Sequence, residues 1–375
     1  MTSRRDILRC AAALAAGGLS VRAQNDPRTD AWIAGQLKVE PAMVFRGRTA
    51  DEARAWQAAF RAKMRELLGD FAPPDKWRTH VEREVELADH TRRELLLSAD
   101  GAPTLPVHLL IPKQPKGRDA KGRGPAAVAL HGHGPMGYDP VAGVDDTPER
   151  KRAIAGSNYD YGRRLVRMGL VVACPCLQPF GRRIAKPDGS PADAKTDRCG
   201  EAFVRLQLLG KLLIAENLRD TLWARRLLVE HEHVDESRVA CVGLSYGGRS
   251  TMLAAAMETG FAAAIVSGAL NRLAERIEKP YSCGAQAIPG LLRFGDTPEI
   301  GALIAPRPAV WEWGSQDGLV PKASAELMIA RMKTVYSALG AEDKLHIDRF
   351  EGGHRFNGAV ALPLLQRWTL GKDEG

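Results

Sequence analysis

The chain has 375 residues, 45% of them hydrophobic, and 53 Lys+Arg against 45 Asp+Glu give it a formal charge of +8. That length and apolar share can bury one large core, so a single decorated domain is expected. The positive charge does not mark a nucleic-acid binder: the densest basic stretch, Lys113 to Arg123, is broken by Gly and Pro and holds no aromatic residue to stack a base, which makes it a solvated loop.

At the N-terminus, Thr2-Ser3-Arg4-Arg5-Asp6-Ile7-Leu8 precedes an apolar run from Ala11 to Leu19 and a small-residue site ending at Ala23. The segment resembles a twin-arginine export signal. That implies folding in the cytoplasm, passage through the twin-arginine machinery, cleavage near Ala23, and a periplasmic or secreted mature protein. The apolar run falls far short of the roughly 20 residues that cross a bilayer as a helix, and Gly17-Gly18 weakens it, so no membrane anchor is expected. Losing residues 1–23 removes four arginines and one aspartate, leaving +5, an ordinary charge. Five cysteines remain (Cys174, Cys176, Cys199, Cys241 and Cys283). At least one must stay unpaired, and Cys174-Pro175-Cys176 matches no zinc spacing.

Residues 24–77 read as a helical extension, with an amphipathic pattern through Trp56, Phe60, Met64, Leu67 and Leu68 that Pro73-Pro74 stops. From residue 78 to 375 a catalytic domain is expected. It opens with antiparallel strands turning at Asp100-Gly101. Apolar runs then alternate with helical patterns, the signature of an α/β fold with a mostly parallel sheet covered on both faces. The strands are expected at Ala126 to Leu130, Leu170 to Ala173, Val239 to Val242, Ala263 to Val266, Ala309 to Trp313 and Leu345 to Phe350. Helices are expected at Tyr161 to Met168, Leu218 to His231, Gly248 to Glu258, Ala323 to Leu339 and Val360 to Leu370. Two Pro- and Gly-containing insertions, near 177–206 and 271–299, leave the carboxyl ends of strands, where such sheets place their ligands.

Gly243-Leu244-Ser245-Tyr246-Gly247-Gly248 lies between a strand and a helix, so Ser245 is a candidate nucleophile raised on a tight turn at a helix N-terminus. A serine hydroxyl needs a base, and His354, in Gly352-Gly353-His354 after the last strand, can supply it. Asp317, in Gly314-Ser315-Gln316-Asp317 after the preceding strand, can orient that imidazole. For the oxyanion, the expected donors are the backbone N–H of Tyr246 and that of His133, in His131-Gly132-His133-Gly134. A His-x-His pair can take a metal, but no nearby carboxylate or cysteine cluster completes a site, so neither metal nor cofactor is expected.

These four segments, in the order Ser, Asp, His, resemble the α/β-hydrolase superfamily over roughly residues 80 to 370. Ile304-Ala305-Pro306-Arg307-Pro308 and the Cys199 to Asn217 stretch resemble its bacterial dienelactone-hydrolase-like and acetyl-xylan-esterase-like branch. The resemblance implies hydrolysis of carboxylic esters, including esters of carbohydrates, through an acyl-enzyme and without a cofactor. Dienelactone hydrolases proper carry cysteine where this chain has Ser245, so their lactone activity does not carry over. Two other readings stay open: a serine peptidase of the prolyl-oligopeptidase type, though without the large propeller usual before that catalytic domain, and a hydrolase fold kept for binding alone. Arg182, Arg183, Arg249 and Arg355 are candidates to meet a substrate carboxylate or uronic acid, against the plainer reading that they are surface arginines.

Overall fold

The structure, a computed structural model, describes residues 27–38, 40–184, 198–278 and 283–370. The expected export signal at 1–23 lies outside the described residues, as do 185–197 and 279–282 of the two insertions. The chain divides into two compact units, residues 1–39 and 40–375. In the first, α1 (Pro27–Gly35) runs into a 3₁₀ turn at Gln36–Lys38, and Gln36 Nε2 donates to the Trp32 carbonyl.

The second unit opens with α2 (Ala50–Leu68). Thr49 Oγ1 accepts from the Glu52 N–H while the Glu52 carboxylate accepts the Thr49 N–H at 2.9 Å, so two otherwise orphan donors are satisfied at the helix start. Ala53, Gln57, Phe60, Met64 and Leu68 are buried at three- and four-residue spacing, a stripe that enters the main core. Gln57 and Arg61 donate to the carbonyls of Ala302, Ala305, Ala256 and Leu303, near the ends of two later helices whose last carbonyls lack helical partners.

The strands β1 (Arg78–Glu86), β2 (His90–Ala99), β3 (Ala102–Pro112), β4 (Gly124–Leu130), β5 (Val171–Pro175), β6 (Val234–Leu244), β7 (Ala263–Ser267), β8 (Ala309–Gly314) and β9 (Leu345–Phe350) form one sheet. Its order is β1-β2-β3-β5-β4-β6-β7-β8-β9. The pairs β1/β2, β2/β3 and β3/β5 are antiparallel and the rest parallel. The Asp100-Gly101 turn joins β2 to β3, with Gly101 at φ 77°, a conformation glycine takes without a Cβ penalty.

The further helices are α3 (Pro148–Ser157), α4 (Tyr161–Arg167), α5 (Arg198–Leu208), α6 (Leu213–Val229), α7 (Tyr246–Met257), α8 (Glu275–Glu278), α9 (Thr297–Ala302), α10 (Lys322–Ala338) and α11 (Ala361–Leu370). Side chains of the central strands alternate between two cores. Ala126, Val128, Cys241 and Val266 join residues of α2, α6, α7 and α10 on one face, and Ala127, Ala240, Val242 and Ile265 join residues of α4 and α11 on the other. Helix α3 carries no buried residue and gave the sequence no regular apolar period; it is announced instead by Thr147, which accepts from the Arg150 N–H, and by Pro148 in its first turn, whereas α5, which buries only Cys199, lies within the stretch read as the first insertion.

Candidate active site

Strand β6 ends at the carboxyl edge of the sheet and turns at once into α7. Ser245, between them, sits at φ 63° and ψ −120°, a backbone conformation costly to any residue with a Cβ. Two hydrogen bonds hold it there: its N–H donates to the Ser267 carbonyl at 2.8 Å, and its carbonyl accepts the Arg249 N–H at 2.9 Å. The flanking glycine at 247 is required by close approach, since a Cβ there would lie 1.9 Å from the Leu130 carbonyl oxygen.

Asp317 and His354 arrive on the loops that follow β8 and β9. His354 Nδ1 meets Asp317 Oδ2 at 2.7 Å, and Asp317 Oδ1 accepts the Leu319 N–H at 2.9 Å, which fixes a carboxylate that is almost wholly buried. The far side of the histidine loop is tied to the sheet by Glu312, in β8, whose carboxylate accepts the N–H of Asn357 at 2.9 Å and of Gly358 at 3.0 Å. Burial pushes the Glu312 pKa up, and these two amides oppose that rise. The His354 ring lies over Gly268, where a Cβ would come within 2.8 Å of its Cε1. Its Nε2 is enclosed and has no hydrogen-bond partner among the described residues, and its ring lines the same cleft as Ser245.

The loop after β4 borders this cleft. His131 is a neutral strut: Nδ1–H donates to the Gly132 carbonyl at 2.8 Å, Nε2 accepts the Leu177 N–H at 2.9 Å, and burial pushes its pKa down to about 4. The Gly132 N–H donates to Tyr159 Oη. His133 N–H is then the next amide along the loop, and the His133 ring lines the cleft. Tyr246 opens α7, so its N–H is among the first-turn amides without an intrahelical acceptor. Its side chain is buried, with Oη accepting from Asn217 Nδ2 at 2.7 Å and donating to the Ala285 carbonyl at 3.2 Å. Sequence patterns pointed to neither Tyr159, Asn217 nor Glu312, because each acts on a partner far away in the chain.

The space enclosed between these side chains measures about 40 Å³ and opens outward. Of the four candidate arginines only Arg249 lines it. Arg249 is buried, donates through Nη2 to the Asn271 carbonyl at 3.0 Å and through Nε to Gln286 Oε1 at 3.3 Å, and its Nη1 has no hydrogen-bond partner among the described residues. Desolvation pushes its pKa down to about 10. The structure does not bring the other three to the cleft. Arg182 pairs with Glu82 in a separate charged groove, Arg183 is buried against Asp220 and the Cys176 carbonyl, and Arg355 lies exposed over the Phe350 ring. Arg276 and Asn271, from the second insertion, line the cleft instead.

The expectation that no cysteine cluster accompanies the His-x-His pair is corrected by the fold. Cys199, 66 residues from His133 in sequence, places Sγ 3.3 Å from His133 Nε2. Cys283 joins them, and one ligand atom from each of the three lies within 4.8 Å of the others. The Cys283 thiol is pushed down to about 5, first by its hydrogen bond with Cys199 and, against burial, by His133.

The chain matches the prolyl oligopeptidase family over residues 200–272. It is 25% identical over 331 residues to "Putative hydrolase YtaP" of Bacillus subtilis (strain 168), an alignment that covers 83% of this chain and 99% of that protein. Among solved structures it is similar to a "putative acetyl xylan esterase" from Bacteroides fragilis NCTC 9343, with a TM-score of 0.70, 16% identity, and coverage of 92% of this chain and 90% of that one. It is similar as well to a glucuronoyl esterase from Solibacter usitatus, with a TM-score of 0.59, 16% identity, and coverage of 88% and 97%. With the mostly parallel sheet, these likenesses show an α/β-hydrolase fold. Among the described residues no helix is long and apolar enough to cross a membrane.

Proposed function

We propose that this chain is an exported serine esterase that cleaves carboxylic esters, those of carbohydrates foremost, through an acyl-enzyme on Ser245. One observation carries the reading: a serine on a strained strand-to-helix turn shares a cleft with a histidine whose Nδ1 is held by a buried carboxylate at 2.7 Å and whose Nε2 has no hydrogen-bond partner among the described residues. His354 takes the Ser245 proton at Nε2 as Oγ attacks the ester carbonyl, and Asp317 stabilises the imidazolium that forms. The N–H groups of Tyr246 and His133 hold the oxyanion; the Gly132 amide, directed to Tyr159, leaves His133 as the next donor along this loop. Collapse of the intermediate expels the alcohol, which His354 protonates. Water, deprotonated by His354, then releases the acid and Ser245 recovers its proton.

Acetyl as the acyl group is supported by the acetyl xylan esterase among the similar structures. The carbohydrate alcohol is supported by the acetyl xylan and glucuronoyl esterases among the similar structures. Arg249 Nη1 is the donor available to a further substrate oxygen. The twin-arginine segment at 1–23 supports export, where polysaccharide esters are met; lysine at positions 4 and 5 should strand the precursor in the cytoplasm.

A peptidase is the second reading, favoured by the family match over residues 200–272. The test is hydrolysis of p-nitrophenyl acetate and of acetylated xylan by residues 24–375, with an aminoacyl-nitroanilide beside them. Ester turnover that disappears in Ser245→Ala is the expected result. Anilide turnover without ester turnover would favour the peptidase, and no turnover with no labelling by an organophosphonate would leave a silent binding fold.

A further inference from the structure

We propose that His133, Cys199 and Cys283 bind one thiophilic divalent cation, Zn²⁺ in the first place, at the mouth of the Ser245 cleft. The three residues come from three segments: the loop after β4, the first turn of α5, and the position just before a 3₁₀ turn at Gly284–Gln286. Each offers one ligand atom, all within 4.8 Å of one another, with Cys199 Sγ and His133 Nε2 already at 3.3 Å. Two sulfurs and an imidazole nitrogen around a tetrahedral zinc stand about 3.5–3.8 Å apart, so the set needs little contraction to close on an ion.

The segments that carry the ligands are packed firmly. A Cβ at Gly284 would fall 2.7 Å from Phe203 Cβ and 2.8 Å from the Cys199 carbonyl oxygen, so the backbones bearing the two cysteines are already in contact. The His133 ring is held on its other side by the edge of Phe180, with centroids 5.1 Å apart at 71°. An imidazole directed at the two sulfurs is a feature a simple disulfide does not use. Three protein ligands leave a tetrahedral ion one position for water or a substrate oxygen. His133 and Cys283 line the cleft with Ser245, so a bound ion would stand at the edge of that cleft.

The test is titration of residues 24–375, kept reduced with a phosphine, with Co²⁺ as the spectroscopic probe. The expected result is one equivalent bound with thiolate-to-cobalt charge-transfer absorption, displaced by Zn²⁺, lost in Cys199→Ala and in Cys283→Ala, and kept in Ser245→Ala. Because the Ser245 variant should still bind, the result stands apart from the esterase reading. Cys283→Ser, close in size to the native residue, replaces any alanine variant that does not fold. No absorption from protein whose thiols are shown to be reduced would overturn the proposal. So would absorption retained in both cysteine variants, or peptide mapping that finds Cys199 and Cys283 joined as a disulfide in protein purified without reductant.

Discussion

On one side of the Ser245 cleft the working groups stand on the ends of strands: Ser245 after β6, Gly268 after β7, and His354 after β9, backed by Asp317 after β8. On the other side, Asn271, Arg276 and Cys283 come from an insertion that joins β7 to α9, and Arg249 is held against it from α7. The first side is positioned by backbone hydrogen bonds of a buried sheet and by glycines whose replacement would drive atoms into carbonyls. The second is positioned by side-chain contacts over long loops. On the proposed reading, chemistry belongs to the strand side and substrate choice to the other, a division that suits one fold to many esters.

Substitutions on the strand side should strike kcat. Ser245→Ala should lower it by roughly 10⁴- to 10⁶-fold with the fold retained, read from nitrophenyl ester turnover and circular dichroism. Asp317→Asn should cost about 10⁴-fold, because the imidazole loses its anionic partner and its tautomer is no longer fixed. Gly268→Ala combines a φ of 59° with a Cβ that meets the His354 ring, and should lower kcat by about 10²-fold while KM moves little.

His131 links the cleft to stability. Its folded pKa of about 4 lies below the ordinary 6.5, so the unfolded chain takes up the proton first. The stability this neutral histidine contributes is fully present above about pH 6.5 and is lost as pH falls toward 4, by roughly 3 kcal/mol. Urea midpoints at pH 7 and pH 4.5 should show that loss, and His131→Asn should flatten it. The smallest effect is expected on the insertion side: Arg249→Met should lower kcat/KM about tenfold, mainly through KM. A fall in kcat alone would erase the distinction between the two sides.

The strand side was largely legible in the sequence. Ser245, Asp317 and His354 each stand within a few residues of the end of an expected strand and near glycines, and their order along the chain is that of the resemblance. The other side was not. Nothing local to Cys199 or Cys283 points to His133, and nothing around Asn217 announces that it clasps the backbone of Gln178 and the hydroxyl of Tyr246. Glu312 stands between two tryptophans in β8, and nothing in that pattern announces that it is buried and anchors the loop beyond His354. Arg182 and Arg183 lie in the first insertion, as a cleft wall would require, but their carboxylate partners, Glu82 and Asp220, come from a distant strand and helix. Pairings of this kind depend on which loops the sheet brings together, and only the fold decides that.

The central claim is that Ser245 is the nucleophile activated by His354. Labelling residues 24–375 with a fluorophosphonate, followed by mass spectrometry of the peptides, tests it most directly. The account predicts one label per chain on Ser245, formed slowly or not at all in His354→Ala. Label on a different residue, or ester turnover that survives Ser245→Ala, would contradict it.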